Sequence, residues 1–229
     1  MAPVHDAVED ESIFGFLSSV RRNKVLPAPE EADFVWAREH PGQWQYFVDP
    51  YADTSALTQA NLMGGRLADD KGEFTDLWLN PEFVPTPKSV AYPIENVFEL
   101  VLWRLEWGFN NFGEFIDAFS RAELIVVLPE DDPQGLRGWP LVTSKSGLSR
   151  SLTVYTSPGN LPTDVNPWLR RAVSGCDVLD QVCPQARVSV NFLLANGGLI
   201  SFPGEVMTGW WREWSEYQES LPPKGSGGE

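Results

Sequence analysis

Two corners of the Asp-Pro and Asn-Pro type frame the first half of the chain and leave it few ways to fold. Trp44-Gln-Tyr-Phe-Val-Asp-Pro50 and Glu73-Phe-Thr-Asp-Leu-Trp-Leu-Asn-Pro81 each read as an aromatic strand that stops where a short polar side chain can bond local backbone. The proline that follows pushes the residue before it into extended geometry. Pro81, Pro85 and Pro87 then forbid regular structure until Tyr92. Distinctive residues are spent here on corners and packing. No nucleophile, metal cluster or phosphate loop stands among them.

Around this frame the strand and helix periods alternate. Phe34–Arg38 and Gln43–Val48, separated by Glu39-His-Pro-Gly42, predict a first hairpin. Gly65–Ala68 and Glu73–Leu79, turning at Asp69-Asp-Lys-Gly72, predict a second. Pro93 is placed to open a long helix, Ile94 to Trp107, apolar nearly all round and therefore deeply buried. Phe112, Phe115, Ile116 and Phe119 recur at helical spacing. Strands are predicted at Glu123–Leu128, Trp139–Thr143, Leu152–Thr156, Arg187–Leu194 and Leu199–Phe202, the last two joined by a tight turn at Asn196-Gly-Gly198. A final helix runs from Glu205 to about Gln218.

The resulting expectation is an α+β fold. It comprises an acidic arm and short helix over 1–32, an antiparallel β subdomain over 33–93, an α+β domain over 94–221 and a flexible tail over 222–229. Within the arm, Ile13, Phe14, Leu17 and Val20 form one helical stripe. The length and the 42% hydrophobic content suffice to bury a core, as one domain or two closely packed ones.

Charge excludes two partner classes. Thirty-two Asp and Glu against seventeen Lys and Arg give a net charge of −15. A nucleic-acid or anionic-membrane binder needs a basic face. No run approaches the ~18 apolar residues of a membrane span. Met1–Glu11 lacks the apolar stretch of a secretory signal, so a soluble, cytoplasmic protein is expected, with export lacking a recognisable signal as the alternative.

Enzyme chemistry lacks parts. The two histidines are His5, in the acidic arm, and His40, in a turn before Pro41, so neither is placed to activate a nucleophile. No nucleotide motif occurs, and no His/Cys cluster invites a metal, so no cofactor is expected. A carboxylate-dependent, carbohydrate-active enzyme remains the alternative, since Asp49, Asp53, Glu73 and Asp76 lie among aromatics such as Trp44 and Trp78 on which a sugar could stack. For Asp49 and Asn80, corner-building is the stronger reading.

The final helix poses a different choice. Val206, Trp210, Trp214 and Tyr217 fall on one stripe, with Trp211 and Arg212 beside it. Two adjacent indoles cannot face the same core, so Trp211 is expected to be exposed. Trp210, Trp211, Arg212 and Trp214 are the candidate partner-binding residues, because Trp and Arg are enriched at binding hot spots.

From Arg38 onward the pattern resembles actinobacterial proteins associated with the type VII secretion system. The carrying residues are Trp44 to Val-Asp-Pro50, the strand from Gly64 to Asn80-Pro81, the Pro85-Thr-Pro87 step and the two helices after it. Phe115 to about Met207 is similar to the SseB-like domain, on Phe115-Ile-Asp-Ala-Phe119, Glu123-Leu-Ile-Val-Val-Leu-Pro129, Val154-Tyr-Thr-Ser-Pro158, Pro167-Trp168 and Asn191 to Pro203. The resemblance implies a mixed or antiparallel sheet with helices packed on it and a non-catalytic accessory or chaperone-like role. The partner would be a secretion-system component or substrate. A structural domain of a longer protein is the third reading.

Cys176 and Cys183, seven apart on a helical segment, would sit about 10 Å apart along its axis, too far for a disulfide. Thiol titration after denaturation without reductant should therefore find two free thiols, and a count of none would contradict both the free-thiol expectation and the helix.

Overall fold

The computed structural model describes residues 25–194 and 197–221, so the helical stripe of Ile13–Val20 and the tail from Pro222 lie outside them. The fold is α+β, with an antiparallel three-stranded sheet and a mixed six-stranded sheet. Two compact units divide the chain, residues 1–90 with 102–111, and residues 91–101 with 112–229.

In the first unit, β1 (Trp44–Val48), β2 (Leu62–Ala68) and β3 (Phe74–Leu79) form the sheet in chain order. The second predicted hairpin is present, with Gly64 opposite Leu79 and Leu67 opposite Asp76. The first is not. Phe34–Arg38 lies within a helix, α1 (Glu31–Glu39), and β1 takes β2 as its partner, Trp44 opposite Leu67. Local capping decides this. The Asp33 carboxylate accepts from the Glu30 amide at 2.8 Å, one half of a reciprocal capping box that satisfies amides a helix start leaves bare. Side-chain contacts hold the helix on the sheet: Gln45 Nε2 donates to Asp33 at 2.7 Å, and the Phe34 and Phe74 rings lie 5.7 Å apart. Alternation of Phe34 and Trp36 mimicked a strand over a stretch too short for period alone to decide.

Both corners are built as the sequence predicts. Asp49 is 1% exposed; its carboxylate accepts from the Tyr51 amide at 2.9 Å, the Thr86 amide at 2.7 Å and the Ser89 hydroxyl. It thereby ties the end of β1 to the proline-rich segment almost forty residues on. Asn80, equally buried, donates from Nδ2 to the Gln59 and Leu62 carbonyls and accepts from the Glu82 amide. Behind these corners Phe83 is enclosed by Trp103 and Phe109, with ring centroids at 6.0 and 5.1 Å.

In the second unit the strand order is β7-β4-β6-β8-β9, with β5 also on β6. The strands are β4 (Glu123–Val127), β5 (Val142–Thr143), β6 (Arg150–Tyr155), β7 (Arg170–Ser174), β8 (Val188–Leu193) and β9 (Leu199–Pro203). β6 and β8 run parallel and the other pairs antiparallel. Leu124, Val126, Leu152, Val154, Val190 and Phe192 alternate onto one buried face. The predicted strand Trp139–Thr143 shrinks to β5, since Pro140 has no amide for a ladder. The hairpin between β8 and β9 pairs Leu193 with Leu199, and Gly197 takes the positive φ of 77° that its turn requires.

Three helical elements belong with this sheet: α3 (Phe112–Arg121), α4 (Gly175–Asp177, widened to π form over Val178–Val182) and α5 (Gly204–Ser220). The helix α2 (Val97–Trp107) begins three residues later than its apolar pattern suggests. Asn96 is the reason: its side chain accepts from the Glu99 amide at 2.9 Å and so caps the first turn. Among the described residues no helix is long and apolar enough to cross a membrane.

The Asp49 corner yields a pH prediction. Burial pushes its carboxyl upward, but hydrogen bonds from Ser89, Thr86 and Tyr51 together hold it below the usual carboxylate range. A depressed folded value contributes stability above the unfolded pKa near 4, and this is lost as pH falls through the folded value. Asp49→Asn should lower stability at pH 7 by at least about 2 kcal/mol. In chemical denaturation that deficit should shrink below about pH 4.

Candidate protein-binding site

The C-terminal helix carries the predicted residues, and the structure divides them. Trp210 is half-buried and packs against the core layer: its ring stacks on Phe112 at 4.1 Å and meets Phe202 edge-on at 5.5 Å. Trp211 and Trp214 are half-buried and Arg212 is exposed. The buried side of α5 is Gly204 and Met207, one step round from the expected stripe, and Tyr217 ends it 53% exposed against Trp214 at 5.6 Å. All three tryptophans are half-buried, so Trp211 is not the exposed indole its place beside the stripe suggested; Trp210 differs in the rings it meets, Phe112 and Phe202.

A second feature was not among the candidate partner-binding residues. Trp168 is 88% exposed immediately before β7, and Leu136, in the loop after β4, is 82% exposed. Between that loop and α4 runs an open groove of about 460 Å³, with Val126 and Val173 of the sheet and Trp139, Pro140, Asp177 and Gln181 along its sides. Trp139 Nε1 donates to Gln181 Oε1 at 3.2 Å across it. Arg171 also lines the groove and passes over Gly135, where a Cβ would collide with the guanidinium. An isolated Trp before a basic dipeptide was the available signal, but no period marks it.

The first unit has its own cavity, about 370 Å³, walled by Phe83, Trp103, Trp107 and Phe109, with Tyr51, Lys88 and Asp49 among its lining. Asp49 is not free to act there, because its oxygens are engaged by the corner. Of the other acids weighed for carboxylate chemistry, Asp53 is bound to the amide and hydroxyl of Ser55. Asp76 is exposed on β3 and Glu73 precedes that strand.

Sequence reasoning also missed a buried polar cluster. Glu99, 3% exposed, accepts from the Thr156 hydroxyl at 2.6 Å, Asn160 Nδ2 at 2.9 Å and the Glu95 amide at 2.7 Å. It ties the first turn of α2 to the segment after β6. The spacing Asn96-x-x-Glu99 was a legible capping signal, hidden inside an apolar run.

Neither cysteine is poised to react, and both are free thiols. Burial pushes the Cys183 thiol up to about 12, and burial with the nearby Asp180 and Asp177 carboxylates raises Cys176 as well.

No family model matches this chain, and neither a curated protein nor a solved structure does.

The division of the tryptophans predicts opposite behaviour for neighbours. Trp210→Ala should cost about 3 kcal/mol of stability, since it vacates a stacked core site. Trp211→Ala should cost less than half as much in the same denaturation series, and equal losses would contradict the division.

Proposed function

We propose that the chain is a non-catalytic protein-binding module, an accessory or chaperone-like part of a type VII secretion apparatus on its cytoplasmic side. The observation that carries the binding reading is large aromatic and apolar side chains left at the surface: Trp168, Leu136 and Tyr217 are each more than half exposed. Exposed apolar area on a folded protein is a mark of interaction surface. The secretion assignment rests on the resemblance carried by Trp44 to Pro50, Gly64 to Pro81, Phe115–Phe119 and Asn191 to Pro203.

The carboxylates support a binding role over the carbohydrate-active alternative. Asp33, Asp49, Asp53, Asp69 and Asp132 all lie below the usual carboxylate range. A glycosidase needs one carboxyl raised so that it carries a proton, paired with a second one across the scissile bond. Each of the two cavities has a single carboxylate in its lining, Asp49 in one and Asp177 in the other.

The test is capture from an actinobacterial lysate by the immobilised chain, identified by mass spectrometry and repeated with variants. Trp211→Ala should keep its melting temperature within a few degrees and lose about 2 kcal/mol of affinity for the captured component. Capture unchanged by Trp211→Ala and by Trp214→Ala would remove the helix face from the binding site. A saccharide turned over by the purified chain would overturn the non-catalytic reading.

A further inference from the structure

We propose that the open edge of β7 receives an extended acidic peptide as an added strand, with Arg170 and Arg171 as its charge partners. This deepens the protein-binding reading and rests on it, but it concerns a different surface from the tryptophan helix.

The ladder fixes which amides are available. The Gly175 amide donates to the Ala122 carbonyl at 2.9 Å, and the Leu128 amide donates to the Leu169 carbonyl at 2.8 Å. Opposed residues of an antiparallel pair alternate between bonded and unbonded. With Leu124 opposite Val173 and Val126 opposite Arg171, the odd-numbered residues of β7 therefore turn their amides toward β4. Those of Ala172 point the other way. Among the described residues β7 is the last strand of the sheet, and Arg170, Arg171 and Ala172 are all exposed. The edge is thus a template for another strand, the arrangement in which backbone bonds give affinity and flanking side chains give specificity.

Charge selects the occupant. The chain carries −15 overall, yet this edge presents two adjacent arginines; among the described residues neither forms an ion pair, and Arg171 has Asp132 only as a more distant electrostatic neighbour. Among the described residues Arg170 donates to the Val165 carbonyl, at 3.0 Å. Alternation puts Arg170 on one face of the sheet and Arg171 on the other, beside the Trp139 groove. A strand that satisfies both needs acidic residues at two consecutive positions.

The probe is a fluorescein-labelled hexapeptide, Thr-Val-Asp-Glu-Val-Thr, with Thr-Val-Lys-Lys-Val-Thr as its counterpart, added to the full chain at low salt. Anisotropy should show the acidic peptide binding at least tenfold more tightly than the lysine one. Saturation should slow hydrogen exchange at the Ala172 amide. Ala172→Pro removes an outward N–H and no bond to β4, so it should keep the melting temperature and lose at least tenfold in affinity. Should that variant fail to fold, Arg170→Glu combined with Arg171→Glu should reverse the preference between the two peptides. Equal binding of both peptides, no binding, or unchanged exchange at Ala172 would overturn the proposal. Loss of the peptide in Trp211→Ala with retention in Ala172→Pro would overturn it while leaving the protein-binding reading in place.

Discussion

The second unit depends on one interaction, the phenylalanine stripe of α3 against the buried face of its sheet. Phe115, Ile116 and Phe119 are wholly buried, and the Phe115 and Phe119 rings meet Phe98, Phe192 and Phe202 at centroid distances between 5.2 and 5.9 Å. Each such side chain removes a large apolar area from water, and tilted or edge-on rings add to it. Strand alternation, the position of α5 and the seat of Trp210 all follow from filling that layer. Gly175 enters for the same reason. A Cβ there would run into the Phe119 carbonyl, so only glycine lets the start of α4 come so close to the end of α3.

In the first unit polar groups take the organising role. Few side chains there are both large and fully enclosed, and Phe83 is the principal one. Asp49 and Asn80 join segments distant in sequence through bonds to backbone amides and carbonyls. Arg66 adds a third such tie. It donates to the Pro27 carbonyl, and its guanidinium lies over the Phe47 ring at 5.0 Å. Burial draws the Arg66 pKa down while Asp33 opposes that shift, so the buried cation is kept by the acid that also caps α1.

Much of this was legible in the residues, and what was not has physical causes. Asp49-Pro50 and Asn80-Pro81 announced their corners because a short polar side chain before proline has few other uses. The stripe of Phe112, Phe115, Ile116 and Phe119 announced α3, because its period is clean over ten residues. The stretch Phe34–Arg38 misled because five residues satisfy both periods, and the deciding bond comes from Asp33 and Glu30 outside the apolar pattern. The start of α2 was placed early for a related reason, since Asn96 and Glu99 are polar punctuation within a greasy run. The candidate site was half legible. The sequence placed Trp210 on the inner stripe, where it meets Phe112 and Phe202, but did not show that Trp211 would be half-buried as well. The β7 edge was invisible, because strand order is decided by pairings between distant segments.

The course of the chain through the two units has a consequence for dissecting the protein. It passes between them at 90/91, at 101/102 within α2, and at 111/112. A single cut at a crossing therefore breaks at least one unit: ending the chain at Val90 deprives Phe83 of both Trp103 and Phe109, and starting it at Phe112 leaves the second unit without residues 91–101. No single cut yields both units whole, so separating them means sharing the 91–111 segment, which each unit needs in part.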